Sequence, residues 1–137
     1  MERAFRDQCR LHLEALALLA WARWRLQSRG WQKSIDEARR LEREMAIAAD
    51  NGQGGIDVGA IELALHRASR LIPGVTCIHR ALAGQRILGR RGEAAKLVIG
   101  LRKSEDALEG HAWLELREGE QKLFVEDGAG YQEVEGI

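Results

Sequence analysis

The sequence predicts one α+β domain, with a helical front and a small antiparallel sheet behind it. Three observations lead there. Apolar residues recur at helical spacing along the front of the chain, whereas after Gly92 they fall into short branched runs divided by polar turns. A chain of 137 residues is also long enough for one real core and too short for two ordinary domains.

Leu11, Ala15, Leu18, Leu19, Ala22 and Leu26 form a wide apolar face, so the first element is a helix from about Arg3 to Gln27, stopped near Gly30. Ser34-Ile35-Asp36-Glu37 reads as a capping box opening a second helix that runs to about Ala49. The glycine-rich loop Asp50–Gly55 then separates residues 1–50, the helical N-terminal part, from residues 56–137, the part expected to carry the chemistry of a single compact domain. Asp57 is expected to cap a third helix ending before Pro73, with Ile56 and Ile61 as a hydrophobic staple.

Pro73-Gly74-Val75-Thr76-Cys77 reads as a turn, a capping threonine and a helix with a cysteine in its first turn, running to about Arg91 before Gly92. Strands follow at Lys96–Leu101, His111–Leu116 and Lys122–Glu126, the last two flanking a turn at Gly119, and a short strand lies near Tyr131–Val134.

Acidic and basic residues balance at 21 each, which gives no electrostatic footprint for nucleic acid. Two cysteines, Cys9 and Cys77, match neither a disulfide framework nor a zinc spacing, and a reducing cytoplasm fits them. The N-terminus lacks the pattern of a signal peptide. The apolar stretch Ala15–Ala22 falls short of the roughly 20 residues that span a bilayer. Trp21, Trp24 and Trp31 crowd that region, which leaves weak membrane association or partner docking as options.

Cys77 carries the candidate chemistry. Unpaired amides and the positive end of a helix favour a thiolate there, although a lone cysteine more commonly fills a core. A nucleophilic cysteine needs a base, and the base needs an orienting group. His111, opening a strand at the sheet edge, suits the first role; an acid at the end of the returning strand suits the second. A three-residue loop at Glu118–Glu120 sets Asp127 opposite His111, whereas a two-residue turn sets Glu126 there, and turn chemistry leans slightly toward Glu126. His79 projects roughly 160° away from Cys77 on the same helix, which disqualifies it as that sulfur's base and suggests a partly exposed side chain. Gln85 lies about 12 Å farther along the helix axis, beyond an oxyanion role. Arg80 reads as a surface ion-pair residue, Trp113 as core, and His12, His66 and Cys9 as structural or incidental.

Thr76-Cys77-Ile78-His79-Arg80-Ala81-Leu82, Arg90-Arg91-Gly92, Leu97-Val98-Ile99-Gly100 and His111-Ala112-Trp113-Leu114-Glu115 resemble the transglutaminase-like cysteine peptidases of lasso-peptide biosynthesis. The similarity extends from about Ala60 onward and, more loosely, to the front helix. It implies a transglutaminase-like or papain-like fold and removal of the leader from a precursor peptide. In that reaction Cys77 is nucleophile, His111 the proton shuttle and Asp127 the orienting acid, preferred over Glu126 because the family usually presents aspartate. The hairpin before the acid is longer here than in the commoner form. The backbone N–H of Cys77 is the expected oxyanion donor. The resemblance also implies a small leader-recognition protein and an ATP-dependent lasso cyclase as partners, and the residues imply no metal or organic cofactor. A same-fold cysteine hydrolase or acyl transferase with another substrate, and an inactive docking scaffold, are the alternatives.

Overall fold

The computed structural model describes residues 2–48, 57–105, 107–116, 121–124 and 132–133. Four helices, α1 (Glu2–Arg29), α2 (Trp31–Ala48), α3 (Val58–Ser69) and α4 (Cys77–Arg90), precede four strands, β1 (Ala95–Ser104), β2 (Ala107–Leu116), β3 (Gln121–Leu123) and β4 (Gln132–Glu133). The strands form one antiparallel sheet in the order β3-β2-β1-β4. The architecture is the α+β arrangement expected.

α1 breaks at Gly30, whose φ of +84° is open to glycine and strained for most other residues. The chain re-enters a helix at once, so Ser34 is no cap; it lies inside α2, buried, its hydroxyl donating to the Gly30 carbonyl at 2.8 Å. A serine–acid signature inside a helix that starts one turn earlier reads like a cap. Asp57 does cap α3, accepting from the Ala60 N–H at 3.0 Å; Ile56 and the glycine-rich segment lie outside the described residues.

α4 is the axis of the molecule. Ile78, Ala81, Leu82, Gln85, Ile87 and Leu88 are all buried, so apolar surface wraps almost its whole circumference, as in a central helix. Ala15, Leu19 and Ala22 of α1 join the same core as Ile61 and Leu65 of α3 and Leu97 and Leu114 of the sheet. Gln85 proves structural: its buried amide donates to Ala38 O on α2 at 2.8 Å and to Ala95 O on β1 at 3.0 Å, tying three elements at one point. Arg86 stacks over Trp21 at 4.5 Å, and Arg90 and Arg91 pair with Glu14, joining α4 again to α1.

Gly84 lets α4 lie flush on the sheet. A Cβ there would stand 2.9 Å from Leu114 Cδ1, 3.2 Å from Phe124 Cε2 and 3.3 Å from Leu65 Cδ1. Gly84→Ala is therefore expected to destabilise the fold by about 1–3 kcal/mol through overpacking, outweighing the helix propensity of alanine. The shift of the denaturant midpoint measures it, and an unchanged midpoint would show that the contact relaxes freely.

β1 and β2 pair over their full lengths, from Ala95↔Leu116 to Ser104↔Ala107. Both strands thus run past the apolar segments that announce them, through exposed Lys103 and Leu108 to a turn at Glu105, whose φ is +46°. β2 pairs with β3 at Leu116↔Gln121, Glu115↔Lys122 and Leu114↔Leu123, the register in which a two-residue turn would close the hairpin. Among the described residues the ladder ends there.

Candidate active site

The site assembles where β3 leaves the sheet. Thr76 is extended, with φ −124° and ψ −172°, and the helix begins at Cys77. Its first backbone hydrogen bond runs from the Arg80 N–H to Thr76 O at 3.2 Å, which leaves the amides of the first turn aimed outward at the place where an anion is best stabilised. Cys77 is reduced and half-buried. Just past the end of the β2–β3 ladder, the Ala112 N–H donates to Cys77 Sγ at 3.4 Å. One backbone step separates that amide from His111.

His111 is buried and sits in the middle of β2, paired with Gly100, with four strand residues before it. This corrects the expected strand-opening position. Its ring stacks on Trp113 with centroids 6.0 Å apart, and Trp113 is buried as expected. His111 Nε2 donates to the Phe124 carbonyl at 2.5 Å. A carbonyl oxygen only accepts, so the proton of the neutral ring sits on Nε2 and the basic lone pair on Nδ1.

Phe124 is the residue that sequence reasoning missed. It adopts φ +65°, in the left-handed region, immediately after β3. Its N–H donates to Glu62 Oε2 of α3 at 2.9 Å, and its ring meets His66 edge-on at 5.5 Å. The available signal was the run Leu123-Phe124-Val125: three consecutive apolar residues break the alternation that a regular strand requires. Glu62, the one ionisable residue in Ile61–Leu65, was a fainter sign. The two proposed acids, Asp127 and Glu126, lie outside the described residues.

His79 is buried rather than partly exposed. Its Nδ1 accepts the Thr76 N–H at 2.9 Å, closing the start of α4 from within and confirming that it is otherwise employed than as the base for Cys77. Burial, then the nearby Arg23 and Arg80 guanidinium groups, hold its pKa below the ordinary histidine value. The unfolded chain therefore takes up a proton first on acidification. The stability tied to neutral His79 is complete above the ordinary value near 6.5 and is lost as the pH falls through the lower folded-state value. His66, likewise lowered by burial and by Arg80, contributes with the same sign. Urea unfolding at about pH 7.5 and about pH 5.5 should show a lower midpoint in acid. His79→Gln, which keeps an acceptor for the Thr76 N–H in the manner of a capping box, should show a smaller drop. Equal drops in the two proteins would refute the assignment.

Arg80, expected in a surface ion pair, is half-buried, and its buried Nε has no hydrogen-bond partner among the described residues. Of the tryptophans on the helical front, Trp24 and Trp31 are exposed, as are Phe5 and Leu13. Among the described residues no helix is long and apolar enough to cross a membrane, and no group of three His, Cys, Asp or Glu residues is placed to hold a metal ion.

A cysteine at a helix start against an internal strand, with a histidine on that strand, is an arrangement suited to acyl transfer through a thioester. The family model described as the transglutaminase-like superfamily matches residues 15–134. Neither a curated protein nor a solved structure matches the chain.

Proposed function

The chain belongs to the transglutaminase-like superfamily, which includes cysteine peptidases and acyltransferases, and from that premise we propose that it is the leader peptidase of a lasso-peptide pathway. The observation that carries the cysteine chemistry is the Ala112 N–H bonded to Cys77 Sγ, because it seats the sulfur beside the strand that bears His111. The motifs around Cys77 and His111 supply the choice of substrate.

In this reading the Cys77 thiolate attacks the carbonyl at the leader–core junction, and the backbone N–H of Cys77 stabilises the resulting oxyanion. His111, which has taken the thiol proton on Nδ1, returns it to the departing amine, so the core peptide leaves with a free N-terminus. The leader remains as a thioester on Cys77. Water, deprotonated by His111, then releases the leader as a carboxylic acid and restores the thiol. Asp127, in preference to Glu126, is the acid of the set: with Nε2 donating to the Phe124 carbonyl, its part is to stabilise the imidazolium by its charge. A small leader-recognition protein presents the precursor, and an ATP-dependent cyclase closes the ring on the freed N-terminus.

Incubating the chain with a lasso precursor, with and without the leader-recognition protein, and weighing the products tests this reading. Two fragments that sum to the precursor plus one water support it. An intact precursor under both conditions would overturn it, and transfer of the acyl group to an added amine instead of water would favour an acyl transferase of the same fold.

A further inference from the structure

We propose that Glu62 is a positioning residue for His111, acting through the backbone of Phe124; the inference rests on the cysteine–histidine reading above and extends it to a residue outside the Cys–His–acid set.

Phe124 is held in a left-handed conformation that is unfavourable for an L-residue. Contacts on both sides of its Cα hold it there. On one side its N–H is fixed by the Glu62 carboxylate, and on the other its carbonyl receives the His111 Nε2 proton. The ring is wedged against the bare Cα of Gly84 and the edge of His66, so the residue has no room to swing as a unit. With the N–H and the ring fixed, the left-handed φ fixes the carbonyl carbon, and the oxygen on it meets the imidazole. Without an acceptor for the N–H, Phe124 is released toward the extended conformation that continues a strand. That movement carries its oxygen away from His111 and removes an interaction that keeps the proton on Nε2 and the lone pair on Nδ1. A carboxylate suits the task because hydrogen bonds to a charged acceptor are the stronger kind, suited to holding a strained backbone. Glu62 touches neither the sulfur nor the imidazole, which makes it a positioning residue.

The test measures iodoacetamide alkylation of Cys77 by peptide mass, in a Cys9→Ser background, at about pH 6 and about pH 9. At the lower pH the reaction depends on His111 having taken the thiol proton; at the higher it does not. His111→Gln, which fills much of the ring's space but cannot take the proton, should therefore slow alkylation at pH 6 and spare it at pH 9. Glu62→Ala should slow the pH 6 reaction about tenfold, the scale on which outer partners of a functional histidine act, with the pH 9 rate unchanged. Glu62→Gln, whose amide oxygen accepts the same N–H, should restore the pH 6 rate to within about twofold of the parent. Glu62→Leu, which keeps the side-chain volume, replaces the alanine variant if that one fails to fold. Sensitivity to His111 with no response to Glu62→Ala or Glu62→Leu overturns this inference and leaves the peptidase reading intact. Loss of fold in both variants assigns Glu62 to stability alone and also overturns it. No effect of His111→Gln at pH 6 overturns both.

Discussion

Cys77→Ala is expected to lower precursor cleavage by about 10⁴-fold or more while leaving the unfolding midpoint and precursor binding nearly unchanged. The sulfur forms the bond that defines the proposed reaction, and no other described cysteine approaches the site, since Cys9 is exposed on α1. Alanine removes one heavy atom from a half-buried position, so the structural cost is small. The Ala112 N–H loses its sulfur acceptor, but it lies at a partly buried contact where water can replace it. Product masses report turnover, and a pull-down of the precursor with its recognition protein reports binding. Unchanged cleavage by this variant would return the chain to the docking-scaffold reading, for which the exposed Trp24 and Trp31 would then be the natural surface.

His111→Ala is expected to reduce turnover by about 10²–10⁴-fold, the span over which a positioned acid–base group acts. This residue is buried against Trp113, so deletion also leaves a cavity, and a stability loss must be separated from a catalytic one. His111→Gln makes that separation. Its amide nitrogen is able to donate to the Phe124 carbonyl as Nε2 does and fills much of the space, yet it cannot exchange a proton near neutral pH. Both variants should lose turnover while only the alanine variant loses substantial stability. Retention of turnover by His111→Gln would exclude His111 as the proton shuttle.

The helices were legible because their signals are local. The apolar period marks α1, Asp57 caps α3, and Thr76 before Cys77 starts α4, and each of these is set within a turn or two of sequence. The sheet was less so. Its β1–β2 hairpin extends through Lys103, Glu105 and Leu108, held by a backbone ladder that leaves no hydrophobic trace, and this displaced His111 from strand start to strand middle. His79 was misread for a related reason: lying opposite Cys77 implies exposure only on a helix with one wet face, and α4 is buried nearly all round. Within the site, Cys77 and His111 stood out by residue type and order. Glu62 and Phe124 are 62 positions apart and act through a main-chain amide and carbonyl, groups that every residue carries and no sequence pattern flags.

The way α1 lies on α4 bears on how this protein can be divided. The family match begins at residue 15, and Ala15 is itself fully enclosed, packed in one core with Leu19, Ala22 and the apolar residues of α4. The helical front is thus not a detachable module carried ahead of an enzyme. A chain starting after the glycine-rich segment would keep every candidate catalytic residue, yet it would lose the helix that packs against both α3 and α4. Under the proposed function, covering α4 is a condition for holding Cys77 in place, and a partner gripping the outer side of α1 would brace the far side of that helix.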